Sequence, residues 1–374
     1  MNKAIKYRLY PTTEQEMMFA KTFGCCRKVY NLMLADKISC YQETKSFGKQ
    51  TPAMYKTEYP FLKEVDSLAL ANVQLHLQSA MKSCFDKSRK RQNGFPKFKS
   101  AKHSRKSYTT NNQKGTVAIL ADKYIRLPKI GLVKAVIHRK PDDDWNLKSA
   151  TITQDSDGKF YASILFEYDK AITSVVISNN IIGLDHKSDA LYMDSNGYSP
   201  SGHKYYRRNQ ERMAHAQRKL KHKTVGSNNY RKQQRRIAKI QKHTSNQRLD
   251  FLHKESTKIA NLYDLVCVES LDMKAMANKG FGNGKATLDN GYGMFLNMLE
   301  YKLADRGKYF IKIDKWYPSS QICSYCGRQK KLSLADRMYK CDCGLSINRD
   351  QNAAINIGRL GTSQTKRLWT LCKT

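Results

Sequence analysis

The chain has no apolar run approaching the roughly 18 residues at which a segment reads as a membrane-spanning helix, and no amphipathic terminal anchor stands in for one. Its N-terminus, Met1-Asn-Lys-Ala-Ile-Lys, lacks the apolar centre of a signal peptide. These absences argue against insertion and export, so an intracellular protein without a membrane partner is expected. Acid is the other scarcity. The 374 residues contain 32 Asp and Glu against 67 Lys and Arg, a formal net charge of +35. Such a field repels itself unless a polyanion neutralises it, which makes nucleic acid the expected partner. The length allows two or three domains with sizeable cores.

Ten cysteines in so long an intracellular chain do not read as a disulfide framework. Four fall in one stretch, Cys323-Ser-Tyr-Cys326-Gly and Lys340-Cys341-Asp-Cys343-Gly344. Thiolates from two tight knuckles close a tetrahedron around one Zn²⁺, so this is the layout of a zinc ribbon with a structural ion. Cys25, Cys26, Cys40, Cys84, Cys267 and Cys372 are scattered and read as reduced residues of the core or surface.

Taken in order, residues 3–10 alternate as a strand that Pro11 stops, and Thr13-Glu-Gln-Glu16 reads as a capping box opening a helix to about Ala35. A second helix is predicted from Leu68 to Arg91, its basic end Lys87-Ser-Arg-Lys-Arg91 leading into Gly94-Phe-Pro-Lys-Phe-Lys-Ser-Ala-Lys-His-Ser-Arg-Lys-Ser-Tyr108. There Lys97, Lys99, Lys102 and Arg105, interleaved with Phe95, Phe98 and Tyr108, suit phosphate contacts and stacking. Period-two runs at 117–120, 124–127, 132–137, 149–153 and 160–166 predict five strands, which with residues 3–10 make a small antiparallel barrel into which the helical segment 12–106 is inserted.

After a linker at 170–180, Ile181-Ile-Gly-Leu-Asp185 reads as a buried strand ending on an acid, and Ala190–Gly197 as a second strand and turn. His203–Leu262 is strongly basic and helical, carrying Arg207, Arg208, Arg218, Arg235 and Arg236 with almost no acid; a hairpin with one face on the protein and one on phosphates is expected. Leu262–Glu269 is the next strand to end on an acid. A loop, Gly280-Phe-Gly-Asn-Gly, then a helix at 294–303 and a strand at 308–313 lead to the cysteine stretch. Behind it comes Arg349-Asp350-Gln-Asn-Ala-Ala-Ile-Asn-Ile, with Asp350 heading a helix.

Each of the three acids has an ordinary reading: Asp185 as a turn acid, Glu269 as an acid at a helix N-terminus, Asp350 as a helix cap. Their joint order, strand-acid, hairpin, helix, strand-acid, helix, strand, helix-acid, is that of an RNase H-like fold, whose parallel sheet gathers such acids at one end. Three carboxylates so placed repel unless hard divalent cations hold them. Two Mg²⁺ ions about 4 Å apart, with Mn²⁺ as a substitute, would activate a water and stabilise the leaving 3′ oxygen of a phosphodiester.

Over nearly its whole length the chain resembles TnpB, the OrfB family of insertion sequences, related to the miniature type V CRISPR nucleases. The resemblance rests on Tyr7-Arg-Leu-Tyr-Pro, Phe23-Gly-Cys-Cys-Arg-Lys-Val-Tyr-Asn31, Gly94-Phe-Pro-Lys-Phe-Lys-Ser, Ile182-Gly-Leu-Asp185, Val268-Glu269-Ser-Leu-Asp-Met-Lys, Ser320-Gln-Ile-Cys-Ser-Tyr-Cys-Gly and Arg349-Asp350-Gln-Asn-Ala-Ala-Ile-Asn-Ile. It implies an RNA-guided DNA endonuclease, monomeric and cytoplasmic at the nucleoid of a prokaryote. A guide RNA would pair with one strand of a double-stranded DNA target beside a short flanking motif, and a single RuvC-type site formed by Asp185, Glu269 and Asp350 would cut both strands.

The multidomain α+β architecture it implies comprises a wedge barrel (1–11 and 107–170), a helical recognition domain (12–106), an RNase H-like (RuvC) domain (180–317 and 347–360), an inserted zinc ribbon (318–346) and a flexible basic tail (361–374). The chain departs from the family pattern at Lys187, where a glycine is usual, at the Cys-x-Cys second knuckle, and at Asn348, where an aspartate is frequent. Two rival readings share the surfaces: a cleavage-deficient RNA-guided repressor, which would have lost an acid, and a transposase of RNase H-like fold. A zinc-dependent transcription factor would leave the acids unassigned.

Overall fold

The computed structural model describes all residues except 87, 89–93, 178–179, 202–203, 279–283, 334–335 and 372–374, and the side chains of all described residues except 366–371. Much of the basic run at 87–91, most of the glycine loop at 280–284, and Cys372 therefore lie outside the described residues. The chain divides into two units, Met1–Lys170 and Ala171–Thr374.

In the first unit, strand β1 (Asn2–Tyr10) is followed by helix α1 (Thr13–Thr44), two short 3-10 turns, and helix α2 (Ser67–Phe85). The capping box is one residue earlier than expected: Thr12 Oγ1 accepts from Gln15 N at 3.3 Å, and Gln15 Oε1 accepts from Thr12 N at 3.1 Å. The helix also runs nine residues beyond Ala35, and α2 ends at Phe85, short of the expected Arg91. Six strands follow: β2 (Lys106–Asn111), β3 (Ala118–Leu120), β4 (Tyr124–Leu127), β5 (Gly131–Val136), β6 (Asn146–Gln154) and β7 (Phe160–Glu167). With β1 they form one antiparallel sheet in the order β2-β6-β7-β1-β5-β4-β3. The sheet is curled, as the expected antiparallel barrel requires, and its two end strands, β2 and β3, do not pair with each other. β2 escapes a reading by hydrophobic alternation because its inward residues are Tyr108 and Thr110, the latter bound to the α2 cap Asp66.

The second unit holds β8 (Ile181–His186), β9 (Tyr192–Asp194), α3 (Tyr205–Lys221), α4 (Asn228–Leu262), β10 (Leu265–Glu269), α5 (Met273–Met276), α6 (Gly284–Asn290), α7 (Tyr292–Ala304), β11 (Tyr309–Ile313), the small hairpin β12 (Met338–Lys340) and β13 (Ser346–Asn348), and α8 (Arg349–Leu371). Its sheet has the order β11-β10-β8-β9; β11, β10 and β8 are parallel and β9 is antiparallel. Period two divides the sheet into faces. Ile182, Leu184, Val266 and Val268 pack with α4 and α7, whereas Leu265, Cys267 and Ile313 pack with Ile357 of α8. The first face is pinned by Lys302 of α7, whose buried ammonium donates to His253 O (2.8 Å), Ser256 Oγ (2.7 Å) and Thr257 Oγ1 (2.7 Å) of α4. Burial, and then the charge of Arg306, lowers its pKa to about 8.

Helix α8 lies against β8 at glycines. A Cβ on Gly183 would stand 1.9 Å from the carbonyl oxygen of Ala354 and 2.6 Å from the amide nitrogen of Gly358. A Cβ on Gly361 would stand 2.3 Å from Cys267 Sγ, so the helix still packs on β10 one turn further along. The segment from 361 is thus helical as far as Leu371 rather than the flexible tail expected, with Thr362 and Thr365 hydroxyls donating back to Gly358 O and Gly361 O, each at 2.8 Å.

Gly183→Ala must push backbone away from backbone and is expected to destabilise by about 1–3 kcal/mol or more, lowering Tm by roughly 2–4 °C for each kcal/mol. Gly94→Ala, where the added methyl meets nothing within 4 Å, is the control in the same calorimetric scan.

Candidate active site and metal centre

Asp185 and Glu269 end adjacent parallel strands, in register through Leu184 opposite Val268. Each continues the alternation that faces α8, after Ile181 and Gly183 on β8 and after Leu265 and Cys267 on β10. Asp350 sits in the first turn of α8, at the end of the helix nearest those strand ends. The ordinary roles of the three acids are filled by other residues. The turn acid is Asp194, whose Oδ1 accepts from Asn196 N (2.9 Å) and Tyr198 N (2.8 Å). The cap of α5 is Asp272, accepting from Lys274 N (3.0 Å) and Ala275 N (3.1 Å). The cap of α8 is Asn348, accepting from Asp350 N (2.9 Å) and Gln351 N (3.3 Å). An amide caps as well as an aspartate does, so Asn348 does not disturb this end of the helix.

The structure brings Asp185 within electrostatic reach of both Glu269 and Asp350. Burial, and then the charges of Glu269 and Asp350, push the Asp185 carboxyl well above its ordinary range, against the weaker pull of Arg349 and of the His186 N–H. Burial also raises Glu269. Arg349 is the adjacent cation: its Nε is 3.8 Å from Asp350 Oδ1, while its Nη1 donates to Ser333 O at 3.2 Å. Lys187, the departure noted after the first acid, points its ammonium at Asp189 (3.9 Å). Asn290 holds that turn by donating to the carbonyls of Lys187 (3.2 Å), Ser188 (2.9 Å) and Ala190 (2.7 Å). Carboxylates from three elements, with one flanking arginine, are oxygen donors of the kind hard divalent cations take, while among the described residues it is the four cysteines whose ligand atoms already lie within 4.8 Å of one another.

A separate donor set is closed and all sulfur. The Sγ atoms of Cys323, Cys326, Cys341 and Cys343 all lie within 4.8 Å of one another, with Cys323 to Cys343 and Cys326 to Cys341 each at 3.6 Å. Burial opposes ionisation of Cys323, but N–H groups of Cys326 and Tyr325 and the neighbouring thiols outweigh it and bring the thiol to about 6. Four such sulfurs fit one Zn²⁺.

The asparagines of the sequence motif join this cluster to the acids. Asn352, fully buried, accepts from Ser324 N (2.9 Å) and donates to Ile322 O (2.7 Å). Asn356, one turn on, donates to Ser319 O (2.8 Å) and Ile322 O (2.7 Å). Spacing by four residues was the available signal for their shared face, yet only the structure shows what that face grips.

The expected nucleic-acid contacts divide. Arg207, Arg208 and Arg218 on α3 and Arg235 and Arg236 on α4 are exposed. The two helices form the expected hairpin around Met213, Ala216 and Ile240, joined by Gln233 Nε2 donating to Ala216 O at 2.8 Å. Its entry is set by Asp289, buried on α6, which accepts from the Tyr206 and Arg207 amides and pairs with Arg248 Nη2 at 3.1 Å. Nothing local in the sequence marks Asp289, because its partners are 41 to 83 residues away.

In the first unit Lys97, Lys102 and Arg105 are exposed, while the Lys99 ammonium rests over the Tyr30 ring at 3.9 Å. Tyr108 is a correction. At 4 % exposure it packs against Phe23 (ring centroids 5.7 Å) and Phe19 (6.5 Å) as a core residue, and it is no exposed stacking platform. It forms part of the wall of a cavity of about 270 Å³ that Arg27, His76, Lys99, Arg105 and Lys106 make basic.

Three family descriptions match the chain: "Helix-turn-helix domain" of the OrfB/IS605 proteins over residues 1–46, "Probable transposase" of the same proteins over 163–280, and "Cas12f1-like, TNB domain" over 292–357. A Streptomyces pristinaespiralis protein named "Putative RNA-guided DNA endonuclease" is 33% identical over 96% of this chain and 89% of its own length. The "Putative RNA-guided DNA endonuclease InsQ" of Escherichia coli (strain K12) is 29% identical over 95% of this chain and 91% of its own. Among solved structures, the Cas12f1 chain of a Cas12f1-sgRNA-target DNA complex matches with a TM-score of 0.54 at 15% identity, covering 96% of this chain and 98% of that one, a likeness of fold. Among the described residues no helix is long and apolar enough to cross a membrane. With a relative this similar matched nearly end to end, and the same family recognised in separate segments, the chain belongs to the TnpB (OrfB/IS605) family.

Proposed function

We propose that this protein is an RNA-guided DNA endonuclease whose phosphodiester-cleaving site is built by Asp185, Glu269 and Asp350. The observation that carries the reading is the placing of Glu269 and Asp350 beside a buried Asp185, whose carboxyl burial first, and then those two charges, hold well above its ordinary range. The name of the 33% identical relative supports the activity and its RNA and DNA partners. Residues 180–317 and 347–360 act as the RNase H-like (RuvC) domain, 318–346 as its zinc ribbon, 1–11 and 107–170 as the wedge, and 12–106 as the helical recognition domain. One chain supplies all three acids, so a monomer suffices for the chemistry.

Divalent cations, Mg²⁺ or Mn²⁺, held by the three carboxylates would supply activation of water and stabilisation of the leaving 3′ oxygen. The chain's own part is placement: two acids on rigid parallel strands and the third on a helix whose distance from β8 is set by Gly183. The exposed lysines and arginines at 97–105 and on α3 and α4 neutralise phosphates of guide RNA and double-stranded target, a flanking motif being read on the DNA. The four-sulfur site holds Zn²⁺ and keeps the knuckle on α8.

Protein purified with its co-expressed RNA is expected to cut a matched duplex only with Mg²⁺ or Mn²⁺, and Asp185→Ala, Glu269→Ala or Asp350→Ala to abolish cutting while duplex binding persists. Cleavage by the triple variant, read on a denaturing gel, rules out the site; absence of co-purifying RNA rules out the guide.

The raised Asp185 pKa has a definite sign. The metal-free folded state holds this proton more tightly than the unfolded chain does, so stability is greatest at low pH and is lost as pH rises through the folded value. Asp185→Asn should flatten that dependence and raise the metal-free Tm at neutral pH, read by calorimetry across the pH range.

Replacing Cys323 and Cys326 with serine should remove one zinc per chain by atomic absorption and lower Tm, since such a ribbon folds only with its metal.

A further inference from the structure

Helix α7 opens on Tyr292, which follows Gly291 in the left-handed conformation (φ 69°). The Tyr292 ring is completely buried, with Phe295 at 6.0 Å between centroids and the edge of His186 at 4.7 Å and 68°. Neither polar end of this ring pair has a partner in the protein: Tyr292 Oη and His186 Nε2 are both buried without a hydrogen bond among the described residues. Leaving one such group unsatisfied carries its full desolvation cost, and native interiors rarely leave one. A tyrosine serving only to fill space could be phenylalanine at no loss.

The place of the hydroxyl says what it serves. Its contact with His186, the last residue of β8 and the neighbour of Asp185, puts the ring at the carboxylate end of the sheet; burial first, and then the charges of Asp185 and Glu269, push the phenol above the ordinary tyrosine range.

We propose that the Tyr292 hydroxyl is a positioning group of the acid site, donating to an ordered water that in turn donates to the Asp185 and Glu269 carboxylates and sets their orientation toward divalent cations. The chain of donors and acceptors balances: the phenol gives one hydrogen bond, the water accepts it and gives two. His186 fixes the direction of the phenol by its edge contact. Tyr292 reaches the cations only through the acids and the water, and the proposal rests on the reading of Asp185, Glu269 and Asp350 given above.

The test is Tyr292→Phe, which removes one unpaired oxygen and keeps the ring. Mn²⁺ binding to the purified full chain is measured by calorimetry, with Asp185→Ala as the blank for sites elsewhere, and the Mn²⁺ dependence of duplex cleavage is measured on the RNA-bound protein. The expected result is a Tm no lower than wild type, a Mn²⁺ dissociation constant raised about tenfold or more, and a parallel rise in half-saturating Mn²⁺ for cleavage that excess metal partly overcomes. Wild-type Mn²⁺ affinity and half-saturation in Tyr292→Phe, with or without a fall in Tm, overturn the role of Tyr292 while the Asp185→Ala blank still loses binding. If Asp185→Ala binds Mn²⁺ as wild type does, the acids do not hold the cation, and the reading and this inference fail together.

Discussion

Helix α8 lies so close to strand β8 that no side chain fits between them at residue 183. The contact is main chain against main chain, and that makes it a ruler. Whatever else varies around the sheet, the first turn of α8 is held at one distance from the end of β8, and Asp350 with it. A packed side chain at the same point could change rotamer or size and let the helix drift; a glycine facing two backbone atoms leaves no such freedom. Three carboxylates that repel one another need this kind of enforcement, because nothing in their own interactions would keep them together.

Around that contact the second unit is arranged to hold each acid by a different means. Asp185 and Glu269 are held by neighbouring parallel strands whose hydrogen bonds fix their mutual height. Asp350 is held by a helix that has its own cap, Asn348, and so does not need the aspartate for that purpose. On the far face, Lys302 ties α7 to α4 and Asn290 ties down the turn after β8. The basic hairpin α3–α4 is tied at its start through Asp289 and is otherwise open to solvent on its charged side.

Much of this could be read from the chain itself. Strand ends on acids, the two cysteine knuckles and the sign of the long helices are local patterns, and local patterns survive folding. Three kinds of feature did not show. β2 presents Tyr108 and Thr110 inward rather than an apolar row, so alternation missed it and the basic segment before it made Tyr108 look like a surface ring. The end of α8 is polar, and its packing depends on Gly361 meeting Cys267, a contact between residues 94 apart that no local composition announces. The roles of Asp289, Asn290 and Lys302 depend on acceptors and donors from distant elements. The acids themselves were legible as a set and ambiguous singly; in the structure the commonplace turn and cap roles are taken by Asp194, Asp272 and Asn348.

The clamp formed by Asn352 and Asn356 has a consequence for how this protein can change. Among the described residues the groups it grips on the cysteine-bearing segment are main chain: Ser319 O, Ile322 O and Ser324 N. A joint that recognises only peptide groups is indifferent to the side chains displayed beside it. The cysteine-bearing segment can therefore exchange its outward residues, the exposed Tyr325 among them, and take on new surface chemistry over evolutionary time without loosening its seat on the helix that carries Asp350.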